Sequence, residues 1–336
     1  MTLRQVLVQA ALATAVLGLA YFTWQRGPEM APDEVIAVDI AKSDLVSLRY
    51  DDAEKHTWVE LNKTSDENGP LTTVHLGPAA KPTNPKAPLA GEAKTPERVV
   101  RGSDAADKLF ASFTPLRASR SLGVLDAAKL KELGLTSSQK RITLTLRNGK
   151  RTFVISPAPP GGSLPYLRDE ASGNVFVVPR SFLSDFQAAA SMLVERKLHG
   201  FRIEEADRLH ITLGAVQREY VVTRDEKSVR IAPASEPDKP DSALKTWHDR
   251  LFSLWPADVL GKGEVPAEGT PQVALRIDYT TRGRRLGYIE IAKVSPATSG
   301  ESAKDTLFAR GEGTLGWFKL SADAQNLLAD AQKLVR

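Results

Sequence analysis

The sequence contains no cysteine. That absence excludes disulfides, thiol nucleophiles and cysteine-based metal sites together. It leaves the compartment open, because exported proteins also fold without disulfides. Histidine is sparse: the five residues at 56, 75, 199, 210 and 248 show no i, i+3 or i, i+4 pairing, so no metal-ligand spacing is visible. A dominant charge is missing too. The chain has 45 basic and 41 acidic residues, and setting aside Arg4 and Arg26 leaves 43 against 41. A nucleic-acid partner therefore has no electrostatic basis. Neither a cofactor nor a metal is expected.

Long apolar runs are absent except at the start. Residues 5–25 lie between Arg4 and Arg26 without a charge. At ~1.5 Å of rise per residue such a run spans about 30 Å, one hydrocarbon core. Tyr21, Phe22 and Trp24 gather at its C-terminal end, where amphipathic rings favour the headgroup layer. Arg4 precedes the run, and Glu29, Asp33, Glu34 and Asp39 follow it. The expectation is one transmembrane anchor over 5–25 in the inner (cytoplasmic) membrane, with the N-terminus in the cytoplasm and a periplasmic body. Membrane lipid is then the first partner. A cleaved secretory signal is the alternative, but a cut after Ala13-Thr14-Ala15 would fall inside the apolar run.

With 42% hydrophobic and 26% charged residues, the chain has the composition of a folded protein, and its length beyond the anchor suits two domains. Alternating segments mark strands at Val35–Tyr50, His56–Leu61 and Leu71–Leu76. Ser103 is placed to cap a helix bearing Leu109, Phe110, Phe113 and Leu116. Arg141–Arg147 and Arg151–Ile155 flank Asn148-Gly149, a strong hairpin signal because that dipeptide accepts positive φ. A second hairpin joins Tyr166–Arg168 to Val175–Val178, and a helix is expected from about Arg180 to Lys197.

After Gly200 the order begins again. Asp207 precedes the strand Leu209-x-Ile211-x-Leu213 as Asp44 precedes Leu45, and Ser242 opens a helix answering the one at Ser103. Gln272–Tyr279 with Leu286–Ile291, then Thr306–Ala309 with Trp317–Leu320, answer the two hairpins, and 321–334 supplies a closing helix. The pattern predicts an α+β fold: two tandem, duplicated units of mainly antiparallel sheet with helices on one side, over 35–199 and 200–336. The stretch 77–97 carries five prolines and reads as an extended insertion in the first unit.

Several motifs fail on context. Gly311-Glu-Gly313-Thr-Leu-Gly316 fits a dinucleotide fingerprint, but a strand follows where a helix is needed. Ser137-Ser-Gln-Lys140 fits S-x-x-K, yet Lys140 runs into a strand rather than standing one helical turn from the serine. The acid pairs Asp51-Asp52 and Glu204-Glu205 sit near strand ends, where solvated turns commonly carry them. The candidate contacts to an anionic partner are two basic hairpin tips, Arg147, Lys150 and Arg151 in the first unit and Arg282, Arg284 and Arg285 in the second. Charged tips also discourage edge aggregation. No catalytic residue emerges.

Lys131-Glu-Leu-Gly-Leu135 before a strand, and the hairpin of Tyr166-Leu-Arg168 with Val175-Phe-Val-Val178, resemble the motifs of a bacterial family of unknown function, number 4340. The resemblance covers mainly 35–220. Leu133 replaces the usual aromatic, and the 77–97 insertion is extra. Membership implies an exported single-pass protein, associated with ABC-type export or gliding-motility transport components and without assigned catalytic residues. The expected function is a non-enzymatic accessory or scaffold protein beside other envelope or transporter proteins. The alternative is a periplasmic binding module for a lipid, glycan or peptide, which requires an apolar pocket between sheet and helices. A hydrolase would require acids or histidines clustered by the fold.

Overall fold

The computed structural model describes residues 34–67, 69–78, 97–157, 164–225, 228–295, 305–321 and 324–335. The expected anchor at 5–25 lies outside them, as does 79–96 of the proline-rich insertion; Gly77 and Pro78 close a strand instead. Among the described residues no helix is long and apolar enough to cross a membrane.

The fold is α+β and dominated by antiparallel sheet. In chain order come β1 (Val35–Val38), β2 (Leu45–Asp52), β3 (Thr57–Asp66), β4 (Gly69–Pro78), β5 (Arg98–Arg101), α1 (Asp104–Ala111), β6 (Leu116–Ala118), β7 (Arg120–Val124), α2 (Ala127–Glu132), β8 (Lys140–Leu146), β9 (Gly149–Ile155), β10 (Tyr166–Asp169), β11 (Asn174–Val177), α3 (Ser181–Gln187) and α4 (Ala189–Met192). A first sheet has the order β5-β4-β3-β2-β8-β9-β10-β11-β7, and β1 pairs separately with β6. The chain continues with β12 (Arg208–Leu213), β13 (Val216–Asp225), β14 (Ser228–Pro233), α5 (Ser242–Phe252), β15 (Pro256–Val259), β16 (Gln272–Thr281), β17 (Arg284–Val294), β18 (Thr306–Gly311), β19 (Phe318–Leu320) and α6 (Gln325–Leu334). The second sheet runs β14-β13-β12-β16-β17-β18-β19-β15. Read from β4, the first sheet has the same order position for position. β5, the β1–β6 ladder and α2 have no counterpart in the second.

Each core follows from the two-residue period of its strands. Tyr50 and Leu48 of β2, Val59 and Leu61 of β3, and Ile142 and Leu144 of β8 face one way, covered by Leu109 and Phe110 of α1 and by Leu183 and Phe186 of α3. Each such burial contributes ~1.5–3 kcal/mol relative to exposure. In the second sheet Ile211, Ile277, Ile289 and Ile291 pack beneath Trp247 and Leu251 of α5 and Leu327 of α6. Trp247 Nε1 donates to Leu327 O at 2.9 Å and ties the two helices together.

The helices do not keep to one side in the first sheet. Val154 and Val175 are out of phase with Phe153 and Phe176, and they pack on the opposite face with Leu130 of α2 and with Leu135. Two helix ends also differ from expectation. Asp241, one residue before Ser242, caps α5 by accepting Leu244 N–H at 2.9 Å. Ser103 occupies the cap position of α1, but its Oγ donates to Met192 O at 2.9 Å. The expected helix over 180–197 breaks at Ala188 and stops at Met192. Beyond it the chain turns away to hydrogen-bond the end of β5, with Ser103 N–H on Leu193 O and Glu195 N–H on Arg101 O, both at 2.8 Å.

Candidate functional site

A cleft of about 570 Å³ opens where β2, β3 and β4 meet α3 and α4. Val59, Leu76, Phe186 and Ala189 give it apolar walls, and Tyr50, Asp52, His56 and Gln187 bring polar groups to it. Tyr50 stacks on Phe186, with ring centroids 5.3 Å apart. Its hydroxyl donates to Asp52 Oδ2 at 3.3 Å, and Lys55 N–H donates to Asp52 Oδ1 at 3.2 Å. Burial first, and then the neighbouring Asp52 carboxylate, raises the Tyr50 pKa, so its phenol stays a donor. Trp58 stands at the rim with the Arg49 guanidinium 4.2 Å from its ring centroid. Opposite Trp58 the strand carries Gly77, where a Cβ would lie 2.7 Å from the indole. Glycine there admits the ring.

Arg98 of β5 borders the cleft and belongs also to the seam between the sheets. Its guanidinium meets Asp258 at 3.1 Å and Glu264 at 3.0 Å. The outer edge of β5 is closed from two directions: Val99 O accepts Lys262 N–H at 2.7 Å, and Arg101 O accepts Glu195 N–H. Farther along, Arg101 Nη1 donates to Glu312 O, while Gly313 N–H donates to Leu198 O. The glycine motif at 311–316 is part of this packing. A Cβ at Gly311 would collide with Leu198 O, and one at Gly316 with Leu260 O. Backbone approach, rather than a phosphate, accounts for these glycines.

The basic tips occupy equivalent hairpins, β8–β9 and β16–β17. Each is docked by the acid before the neighbouring strand: Arg147 N–H donates to Asp44 O, and Arg282 N–H donates to Asp207 Oδ2 at 2.6 Å. Arg147, Lys150, Arg282, Arg284 and Arg285 are exposed. Arg151 is committed elsewhere, to the buried Asp169 at 2.6 Å. Arg285 rests over the Tyr288 ring at 5.0 Å. The turns differ. Arg282 and Gly283 both take positive φ, as a type I′ turn requires, whereas Arg147 and Asn148 form the corner of the first tip.

The S-x-x-K segment is a turn: Ser138 Oγ donates to Ile155 O, and Lys140 pairs with Glu54 at 2.9 Å. Glu204 and Glu205 are exposed. Asp51 pairs with Arg49, whereas its neighbour Asp52 is buried in the cleft. No group of three or more potential ligands suited to a metal occurs among the described residues. The fold does bring two distant histidines together. His199 stacks on Phe252 with centroids 4.1 Å apart, and His248 Nε2 lies 3.0 Å from the Tyr279 hydroxyl. Their separation in sequence gave no sign of this cluster.

The motif residues of the chain are structural. Gly134, at φ 70°, ends α2: its N–H donates to Lys131 O, and Leu135 N–H donates to Leu130 O. That is a Schellman stop, and it delivers Leu135 into the layer beneath Val154 and Val175. No curated protein and no solved structure matches the chain. Residues 99–255 match the family model described as Domain of unknown function (DUF4340), farther along the chain than the 35–220 read from the motifs. The Gly134 stop and the Tyr166–Val177 hairpin both fall within that stretch, so residues 99–255 are the part of the chain that is similar to the DUF4340 family.

Proposed function

We propose that the chain is a non-enzymatic, membrane-anchored accessory or scaffold protein of a cell-envelope assembly. Residues 5–25 tether it in the inner membrane, with the N-terminus in the cytoplasm and a periplasmic body. The body is a duplicated pair of units, 35–199 and 200–336, and its partners are other envelope or transporter proteins. The observation that carries this reading is the β5 seam, where backbone hydrogen bonds and the Arg98 ion pairs hold two same-order sheets together. Two sheets joined in this way suit a protein that keeps partners at a fixed spacing. The exposed tips at Arg147, Lys150, Arg282, Arg284 and Arg285 are its contacts to acidic surfaces. Detergent pull-down with mass spectrometry tests this, comparing the full chain with one starting near Ala31 and with Arg147→Glu/Arg284→Glu. Specific envelope proteins captured by the full chain and lost from a variant support the role. The same background set from all three samples overturns it.

A second reading, a periplasmic binding module for a lipid, glycan or peptide, is favoured by the cleft. Its volume lies within the ~300–1,000 Å³ common to small-molecule sites, and its walls are apolar with a few convergent polar groups.

A further inference from the structure

We infer that the cleft beside Asp52 binds an organic cation, a primary ammonium carried on an apolar stem. The inference rests on the binding-module reading of this cleft and names the chemistry of its ligand. Three carboxylates are buried among the described residues: Asp52, Asp169 and Glu290. Two of them have cations. Asp169 holds Arg151 at 2.6 Å, and Glu290 is gripped by Arg276 at 2.5 Å and Arg310 at 2.6 Å. Asp52, only 1% exposed, accepts hydrogen bonds from the Tyr50 hydroxyl and the Lys55 N–H, but no ion pair among the described residues reaches it.

A buried carboxylate without a cation is costly, and a ligand cation removes that cost. Two donors leave about half of the roughly four acceptor positions of the carboxylate unused. The cations that border the cleft do not fill them. Arg98 is engaged by Asp258 and Glu264, and Lys55, an exposed residue, reaches Asp52 through its backbone N–H. His56 Nδ1, buried and without a partner among the described residues, accepts an ammonium N–H in the tautomer protonated at Nε2. Beyond this polar end Val59, Leu76, Phe186 and Ala189 offer the apolar wall that a hydrocarbon stem needs. A carboxylate-headed amphiphile of the same length would instead meet the charge of Asp52 with its own.

The test uses the full chain in nanodiscs of zwitterionic lipid, with empty nanodiscs as the blank. Saturation-transfer NMR and titration calorimetry follow n-hexylammonium, hexanoate and 1-hexanol. Hexylammonium is expected to bind about tenfold or more tightly than the other two, as a charge-assisted hydrogen bond provides. Asp52→Asn, which keeps an acceptor for Lys55 N–H, is expected to abolish that preference. Ala190→Trp fills the cleft from an exposed helix position and is expected to block all three probes, with circular dichroism reporting that both variants fold. Equal binding of the three probes, blocked by Ala190→Trp, overturns the cation assignment and leaves the binding reading standing. So does an ammonium preference that survives Asp52→Asn. Binding of none of them, or binding indifferent to Ala190→Trp, overturns both.

Discussion

Burial among Phe252, Tyr279 and His199 lowers the His248 pKa from an ordinary 6.5 to about 4; nearby His199 and Lys245 add to the shift, and Asp249 opposes it. The folded value lies below the unfolded one, so between them the unfolded chain takes up a proton that the folded chain refuses. Stability contributed by neutral His248 is therefore complete above about pH 6.5 and is lost as the pH falls toward 4. At ~1.4 kcal/mol per pKa unit the loss amounts to roughly 3 kcal/mol. Urea unfolding of the full chain in detergent is expected to show a lower midpoint at pH 5 than at pH 7.5. His248→Phe is expected to flatten that dependence while costing about 1–3 kcal/mol throughout, because the Tyr279 hydroxyl loses its partner. A pH slope unchanged in the variant would remove His248 as its source. Neither this cluster nor the cleft was legible in the sequence. Asp52 reads as one of two adjacent acids at a strand end, and only strand alternation separates it from Asp51: one side chain turns toward Arg49, the other toward Tyr50.

The elements were far more legible than the site, because a hairpin announces itself locally. Arg141 to Ile155 forms the β8–β9 hairpin, with its corner at Arg147-Asn148, one residue before the expected Asn148-Gly149; Gln272 to Ile291 forms the β16–β17 hairpin, whose register shifts at two places. Helix ends were harder to read, since Ser103 spends its hydroxyl on Met192 O, a residue distant in sequence. β5 was not legible at all. Arg98-Val-Val-Arg101 is too short to show a period, and its pairing with β4 spans the proline-rich segment. Yet β5 carries the Arg98 ion pairs and the Val99 backbone bond of the seam. A double-mutant cycle of Arg98→Ala with Asp258→Asn is expected to give a coupling of about 1 kcal/mol, the scale of a partly exposed pair in a small network. The coupling is expected to shrink as salt rises. Zero coupling at low salt would mean that the backbone bonds at Val99 and Arg101 hold the seam without it.

At the scale of the whole molecule, the order of the second sheet repeats that of the first, but the first depends on material from beyond itself. Val99 O finds its partner at Lys262. A chain of residues 34–199 alone would keep the Glu195 cover on Arg101 and lose the Lys262 cover on Val99. It would also leave Arg98 without Asp258 and Glu264. An uncovered strand edge invites pairing with another copy. Light scattering and sedimentation are expected to find this piece self-associated at concentrations where the full chain is not, and a monomer would show that the edge needs no cover. The same geometry sets a clock on biosynthesis. A ribosome adding ~5–20 residues per second needs roughly 10–30 s to pass from Val99 to Lys262. Throughout that interval at least half of the strand edge has nothing to pair with, and all of it until Glu195 is made, so the hazard of misassembly is fixed by the distances between residues along the message.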